Sequence, residues 1–358
     1  MMFPWHKKAS DKLEKMIEQN HLPHALLITG VEKIGKFNFT QNLIKKLVCS
    51  NSSCNQCELC TALNNDDPLL ELDHSVLIRR SHYPNLIYCR TELNDSGSMS
   101  KDIRVDQIRA FCESLGKTAE TLQIGVIFYA DQMNNNAANS LLKTLEEPRK
   151  NTLIILLAHN IDRLPATILS RCQSVHINPS YENETAQWLA NQIGEDTRAD
   201  FDPMQLLESA HGVPHKALDD LDGDFYFQYQ SWQNLLLEIA LSPTKIKNTE
   251  IFSDNELDVL KCLQHLINEG IKIKVLNHDG ANLELNKVIE KTSFNHLFRL
   301  LDDTNRAISL SQTTVNIKLL LDNILVVWSH ITNLSKYPAI TNFPVSYTHL
   351  TLPTILLV

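Results

Sequence analysis

Four cysteines within twelve residues, Cys49, Cys54, Cys57 and Cys60 of CSNSSCNQCELC, form the densest group of metal-ligating side chains in the sequence. Two overlapping CxxC steps let consecutive thiolates converge, and Cys49, at the end of the preceding helical pattern, supplies a fourth ligand for tetrahedral Zn²⁺. Four soft ligands and no open position describe a closed, structural site. The same residues are compatible with a redox CxxC pair, although that motif normally opens a helix in a different fold. A four-thiolate iron–sulfur cluster is the third chemistry they allow. Cys89, Cys112, Cys172 and Cys262 are scattered and read as packing residues.

Just upstream, GVEKIGKFNF (30–39) has the outline of a phosphate-binding loop, with Gly30, Gly35 and Lys36 in place. Such a loop works because glycines let backbone N–H groups close around phosphate at a helix N-terminus. Lys neutralises charge, and a Ser or Thr hydroxyl holds Mg²⁺. Phe37 stands where that hydroxyl belongs, and it falls in register with Ile44 and Val48 on an apolar stripe. Hydrolysis also needs an acidic pair at the end of a later strand, to hold the metal and orient water. The candidate strand here ends in VIFYAD (126–131).

These residues need a scaffold, and the sequence supplies an alternating one. HALLITG (24–30), PNLIYC (84–89), GVIFYA (125–130), TLIILLA (152–158) and SVHINP (174–179) are continuous apolar runs bounded by turn residues. They predict buried strands of a mostly parallel sheet. Helical patterns lie between them, including AANSLLKTLEEP, with Ala138, Leu141, Leu142 and Leu145 on one stripe before Pro148 stops it. The reading is α/β, with the loop at a strand-to-helix junction. Beyond Pro179 the strand signals cease. The expected organisation is an α/β domain over 1–178 with a cysteine module at about 49–60, a small helical domain over 179–222, an all-helical domain over 223–332, and a tail over 333–358. The end of that tail, VSYTHLTLPTILLV, reads as translated vector or adaptor sequence, the alternative being a native tail.

At 358 residues the chain is long enough for several domains. Its 33 basic and 42 acidic residues give a net charge of -9, which argues against autonomous binding to a phosphate backbone. No apolar run reaches the ~20 residues of a membrane span. The start, MMFPWHKKASDKLEKM, has no apolar signal region, so a cytoplasmic, reducing location is expected. The polar insertion at 61–82 carries His74 and His82, whose spacing matches no metal geometry and which read as exposed loop residues.

Two further stretches, NSLLKTLEEP (139–148) and LPATILSRCQ (164–173), closely resemble the clamp-loader ATPases of bacterial DNA polymerase III, and the resemblance extends from HALLITG to NIKLLLDNIL. It implies a RecA-like AAA+ domain with a zinc module, a small helical lid and a helical collar through which five subunits form a ring. A zinc module after the loop helix marks this family, although the spacing between Cys49 and Cys54 is short for it. Counting back from Asn139, Phe128 and Tyr129 occupy the positions where motor subunits of the family carry Asp and Glu. Asp131 lies too far along to substitute. Pro214 and His215 of HGVPHKAL stand where motor subunits carry a nucleotide-sensing Arg. The combination resembles the ring member that does not turn over ATP.

Arg171 of SRC (170–172) is retained although the chain's own site is not. By itself such an Arg is an ordinary surface cation or carboxylate partner. By resemblance it is an arginine finger lent in trans to the ATP of a neighbouring motor subunit, with Ser170 and Cys172 shaping its turn. The implied role is a rigid stator in DNA replication, within the DNA-directed DNA polymerase holoenzyme, a nucleotidyltransferase complex. The implied partners are the gamma/tau motor subunits and a clamp-opening delta subunit in a hetero-pentamer, with the sliding clamp and primer–template DNA reached through the assembly and no membrane. Structural zinc is the implied cofactor. ATP is expected to bind Gly30, Gly35 and Lys36 weakly if at all, and not to be hydrolysed in this chain. The competing readings are an active AAA+ ATPase and a zinc-dependent nucleic-acid-binding module.

Overall fold

A computed structural model describes residues 3–19, 21–49, 54–64, 79–80, 85–91, 102–115, 121–193, 202–222, 225–276, 282–311 and 315–332. Most of the 61–82 insertion, with His74 and His82, and the 333–358 tail lie outside the described residues. The chain forms two compact units, Met1–Asp219 and Asp220–Val358.

The first unit is built on six strands: β1 (Ala25–Thr29), β2 (Arg79–Arg80), β3 (Leu86–Cys89), β4 (Gln123–Ile127), β5 (Thr152–Ala158) and β6 (Gln173–His176). Their order is β2-β3-β4-β5-β1-β6. All neighbours run parallel except β2, which is antiparallel to β3. Each of the five apolar runs overlaps one parallel strand, but β4 ends at Ile127 and β6 at His176, short of the predicted ends, because the chain turns at Tyr129 (φ 52°) into a short 3-10 helix in the first case. β1 lies between β5 and the edge strand β6, paired with β5 from Ala25↔Ile154 to Thr29↔Ala158 and with β6 from Leu26↔Gln173 to Thr29↔His176.

Side chains alternate between two helical layers, which is why the strands are apolar on both faces. Leu26, Ile28, Leu153 and Ile155 share one core with Leu13 of α1 (Lys7–Glu18) and with Phe39, Leu43 and Ile44 of α2 (Lys36–Val48). Following α3 (Glu58–Asn64), the helices α4 (Val105–Leu115) and α5 (Asn135–Glu146) close the opposite face, packing Phe111, Ala138 and Leu141 on Leu27, Ile154 and Leu156. Gly125 in β4 has a packing reason, since a Cβ there would stand 2.4 Å from Phe111 Cζ. The Asn134 side chain caps α5 by accepting from Ala137 N–H at 2.8 Å, and the helix ends at Glu146, two residues before Pro148. The short α6 (Ala166–Leu169) precedes β6. Three helices complete the unit: α7 (Asn183–Gln192), α8 (Pro203–Ser209), capped by Asp202, and α9 (Pro214–Asp219).

The second unit consists of α10 (Phe225–Leu241), α11 (Glu256–Leu276), α12 (Leu283–Glu290), α13 (Phe294–Leu310) and α14 (Ile317–Ser329). Asn282, Ser293 and Asn316 cap the last three. One core joins Trp232, Leu236, Leu263, Ile267, Leu297, Leu300, Leu321 and Trp328. The buried Trp328 indole donates to Leu236 O at 2.6 Å. Phe294 and Phe298, one turn apart on α13, stay exposed as a ring pair, and Leu319 of α14 is 60% exposed.

Candidate functional site

The phosphate-type loop leaves the end of β1 and enters α2, as the sequence predicts. Gly35 caps that helix at φ 86°, a conformation that favours glycine, and a Cβ there would meet His6 Nε2 at 3.1 Å. At Gly30 a Cβ would stand 2.7 Å from Ile177 O. Both glycines therefore have packing reasons independent of any phosphate. The Lys36 ammonium is buried and turned inward. It donates to Gly30 O and Val31 O at 2.8 Å each and lies 3.0 Å from His159 Nδ1. Burial lowers its pKa to about 8. Because ammonium only donates, His159 must accept through Nδ1 and is neutral when Lys36 is charged. Burial, and then the Lys36 charge, lower the His159 pKa accordingly.

Phe37 meets Phe128 with ring centroids 5.3 Å apart and Tyr88 at 6.2 Å, while Tyr88 and Phe128 are 5.8 Å apart. An apolar cluster thus joins the hydroxyl position of the loop to Phe128, the first of the two positions at which the resemblance leads one to expect an acidic pair in motor subunits. Mg²⁺ demands oxygen ligands and sheds water reluctantly, so these rings give it nothing to bind. The second position, Tyr129, stacks on His159 at 5.3 Å. Asp131 accepts from the backbone N–H groups of His159 and Asn160 at 3.2 and 3.0 Å. Its carboxylate pins the end of β5.

A second aromatic group closes the loop from outside. Phe3 stacks on Trp5 at 4.6 Å, and Trp188 of α7 and His215 of α9 lie edge-on to both. Trp5 Nε1 donates to Ile34 O at 2.8 Å, and His6 Nε2 lies 3.1 Å from the same carbonyl. Burial lowers the His6 pKa to about 4. Pro214 is buried at the start of α9, so the position read as lacking a sensing Arg carries a proline and a caged histidine.

At the cysteine cluster all four sulfurs lie within 4.8 Å of one another. Cys49 Sγ is 3.6 Å from Cys54 Sγ and 3.9 Å from Cys57 Sγ. A tetrahedron with Zn–S bonds of ~2.3 Å has S···S edges of ~3.8 Å, so the donors fit a structural metal ion. Cys49 belongs to the group despite its short spacing, because it follows the last residue of α2 and Cys60 sits in α3. Cys89 and Cys262 are buried, as expected of packing residues, while Cys112 and Cys172 are half-buried at the edge of the core.

Arg171 follows α6 and is tied to its own chain. Its Nε donates to Glu146 Oε1 at 2.9 Å, Nη2 lies 2.6 Å from the same oxygen, and Nη1 donates to Thr167 O at 2.9 Å and Ser170 Oγ at 3.2 Å. Ser170 is the C-cap of α6, and the Cys172 thiol packs toward the core. Sequence reasoning missed three participants: His159 beside Lys36, the Phe3–His6 segment over the loop, and Glu146 beside Arg171.

The family model described as DNA polymerase III, delta subunit, matches residues 5–181. The DNA polymerase III subunit delta-prime of Bacillus subtilis is 32% identical over 47% of this chain and 46% of that protein. The delta-prime protein of Buchnera aphidicola subsp. Schizaphis graminum is 24% identical over 92% and 97%. The DNA polymerase III subunit tau/gamma of Haemophilus influenzae is 26% identical over 58% of this chain and 28% of that protein. Alignments with the first three relatives span 46, 65 and 59% of those proteins' lengths.

Proposed function

Because the chain belongs to the DNA polymerase III delta-prime family, we propose that it is a clamp-loader subunit that does not hydrolyse ATP and lends Arg171 to a neighbouring subunit that does. The observation that carries this reading is the Phe37–Phe128 contact at 5.3 Å, which puts hydrocarbon where a metal and its ligands would stand. Without Mg²⁺ or an acidic pair, nothing stabilises phosphoryl transfer in this chain. Lys36, tied to two loop carbonyls, would have to abandon them to meet a phosphate.

Arg171, by contrast, lies at the surface. Guanidinium is planar, permanently charged and forked, which suits γ-phosphate oxygens as charge develops on them. The partners in this reading are gamma/tau motor subunits and a clamp-opening delta subunit in a hetero-pentamer, through which the sliding clamp and primer–template DNA are reached. The helices within 223–332 would be the collar, with Phe294, Phe298 and Leu319 facing neighbouring chains. The 179–222 helices would be the lid, locked by the Trp188 and His215 contacts to the N-terminal segment. Zinc at Cys49, Cys54, Cys57 and Cys60 would supply a tetrahedral cross-link between the end of α2 and the start of α3.

The test is reconstitution with motor and clamp-opening subunits. Arg171→Ala is expected to assemble normally and to lower the DNA-stimulated ATPase rate, since a lent arginine is worth orders of magnitude at the site it serves. Unchanged turnover in an assembled complex would refute the role.

A further inference from the structure

The two most distinctive sequence stretches, NSLLKTLEEP and LPATILSRCQ, meet through one ion pair, Glu146 with Arg171. We propose that Glu146 is a positioning residue that parks Arg171 on its own chain, so that the guanidinium must leave this carboxylate before it can grip an oxyanion on a neighbouring subunit. The inference rests on the reading of Arg171 as a lent cation.

Three observations carry it. First, Glu146 occupies the Nε/Nη2 edge, the pair of donors that reads carboxylate or phosphate in parallel. With Nη1 committed to Thr167 O and Ser170 Oγ, only one of the five guanidinium N–H groups is left without a partner among these contacts. An anion can be gripped at two points only by displacing one of these partners, and on the Nε/Nη2 edge only by displacing Glu146. Second, Glu146 is the last residue of α5, where the helix dipole disfavours a negative charge. Helix stability therefore does not explain a carboxylate there, whereas Arg171 does. Third, the pair is half exposed, with side-chain accessibilities of 33% for Arg171 and 49% for Glu146. An exposed pair is weak enough to break when a more highly charged oxyanion arrives.

The first measurement uses the isolated full chain and does not depend on the role of Arg171. Phenylglyoxal modification is followed by mass spectrometry at Arg171, with exposed Arg149 as internal reference. Glu146→Gln is expected to raise the Arg171/Arg149 rate ratio about two- to fivefold, the range over which an exposed ion pair shifts a population. Glu146→Asp, which keeps the charge, should give a smaller rise. An unchanged ratio in a variant with wild-type Tm overturns the proposal.

The second measurement uses the reconstituted complex without DNA. Glu146→Gln is expected to raise basal ATPase by a similar factor, and the rise should vanish when Arg171→Ala is added. A lower basal rate would instead make Glu146 a support for the active arginine and overturn parking. If the modification ratio rises but Arg171→Ala leaves turnover unchanged, the parked pair stands and the lent-arginine reading fails.

Discussion

Phe37 and Phe128 stand in contact, with Phe128 only 5% exposed, and in the proposed reading they fill the places of a hydroxyl and a carboxylate that would share a cation. Phe128→Ala is expected to destabilise the first unit by about 3–5 kcal/mol, the range for emptying a buried aromatic site, as read from denaturant midpoints. Phe128→Asp should do at least as much damage, because its carboxylate would be desolvated among rings, and it should not create an ATPase. His6 gives a pH prediction. Its folded-state pKa is depressed to about 4 from 6.5, so below pH 6.5 the unfolded chain binds the proton first. The stability this neutral imidazole contributes is fully present above about pH 6.5 and declines as pH falls towards 4, by at most on the order of 3 kcal/mol. His215, whose pKa burial also lowers, acts in the same direction. Urea titrations at pH 7.5 and 5 should therefore diverge, and His6→Phe should narrow the gap; an equal gap in the variant would show that other groups set the acid response.

Element by element, legibility followed the range of the forces involved. The five strands were readable because burial on both faces leaves uninterrupted apolar runs, and α5 because its stripe and Pro148 act within one segment. Cysteine spacing located the thiolate module because its chelate geometry is local, as the tight sulfur group at Cys49 to Cys60 shows. The Phe3–His6 segment was not readable. Its partners are Ile34, Trp188 and His215, and no periodicity links residues so far apart. Glu146 was hidden for the opposite reason, since a charged residue at a helix end looks like solvated surface until α6 brings Arg171 to it. The thiolate module yields the prediction of this scale. Purified protein is expected to carry about one zinc per chain, and a strong chelator should lower its Tm, with zinc restoring it. Linkage puts the stabilisation on the order of 4 kcal/mol when free zinc exceeds its Kd about a thousandfold. Cys57→Ser should abolish the zinc dependence, and a metal-free preparation with unchanged Tm would remove zinc from the account.

For the whole molecule the question is what the chain does alone and what it does only in company. A net charge of -9 sets it against a polyanion, and some of its basic side chains are drawn into ion pairs such as Lys33–Asp219 and Lys46–Glu14. A zinc-dependent nucleic-acid-binding module would behave differently, gaining affinity steeply as salt is removed. The two readings separate in one experiment, fluorescence anisotropy of a labelled primer–template titrated with the isolated chain and with the reconstituted complex, each at two salt concentrations. The isolated chain is expected to give no saturable binding at about 150 mM salt, where the Debye length has shrunk to about 8 Å. The complex is expected to bind only when motor subunits and ATP are present, since in the proposed reading this chain does not supply the nucleotide-dependent step. Tight, salt-sensitive and zinc-dependent binding by the chain alone would place its function in the cysteine module and leave Arg171 an ordinary surface cation.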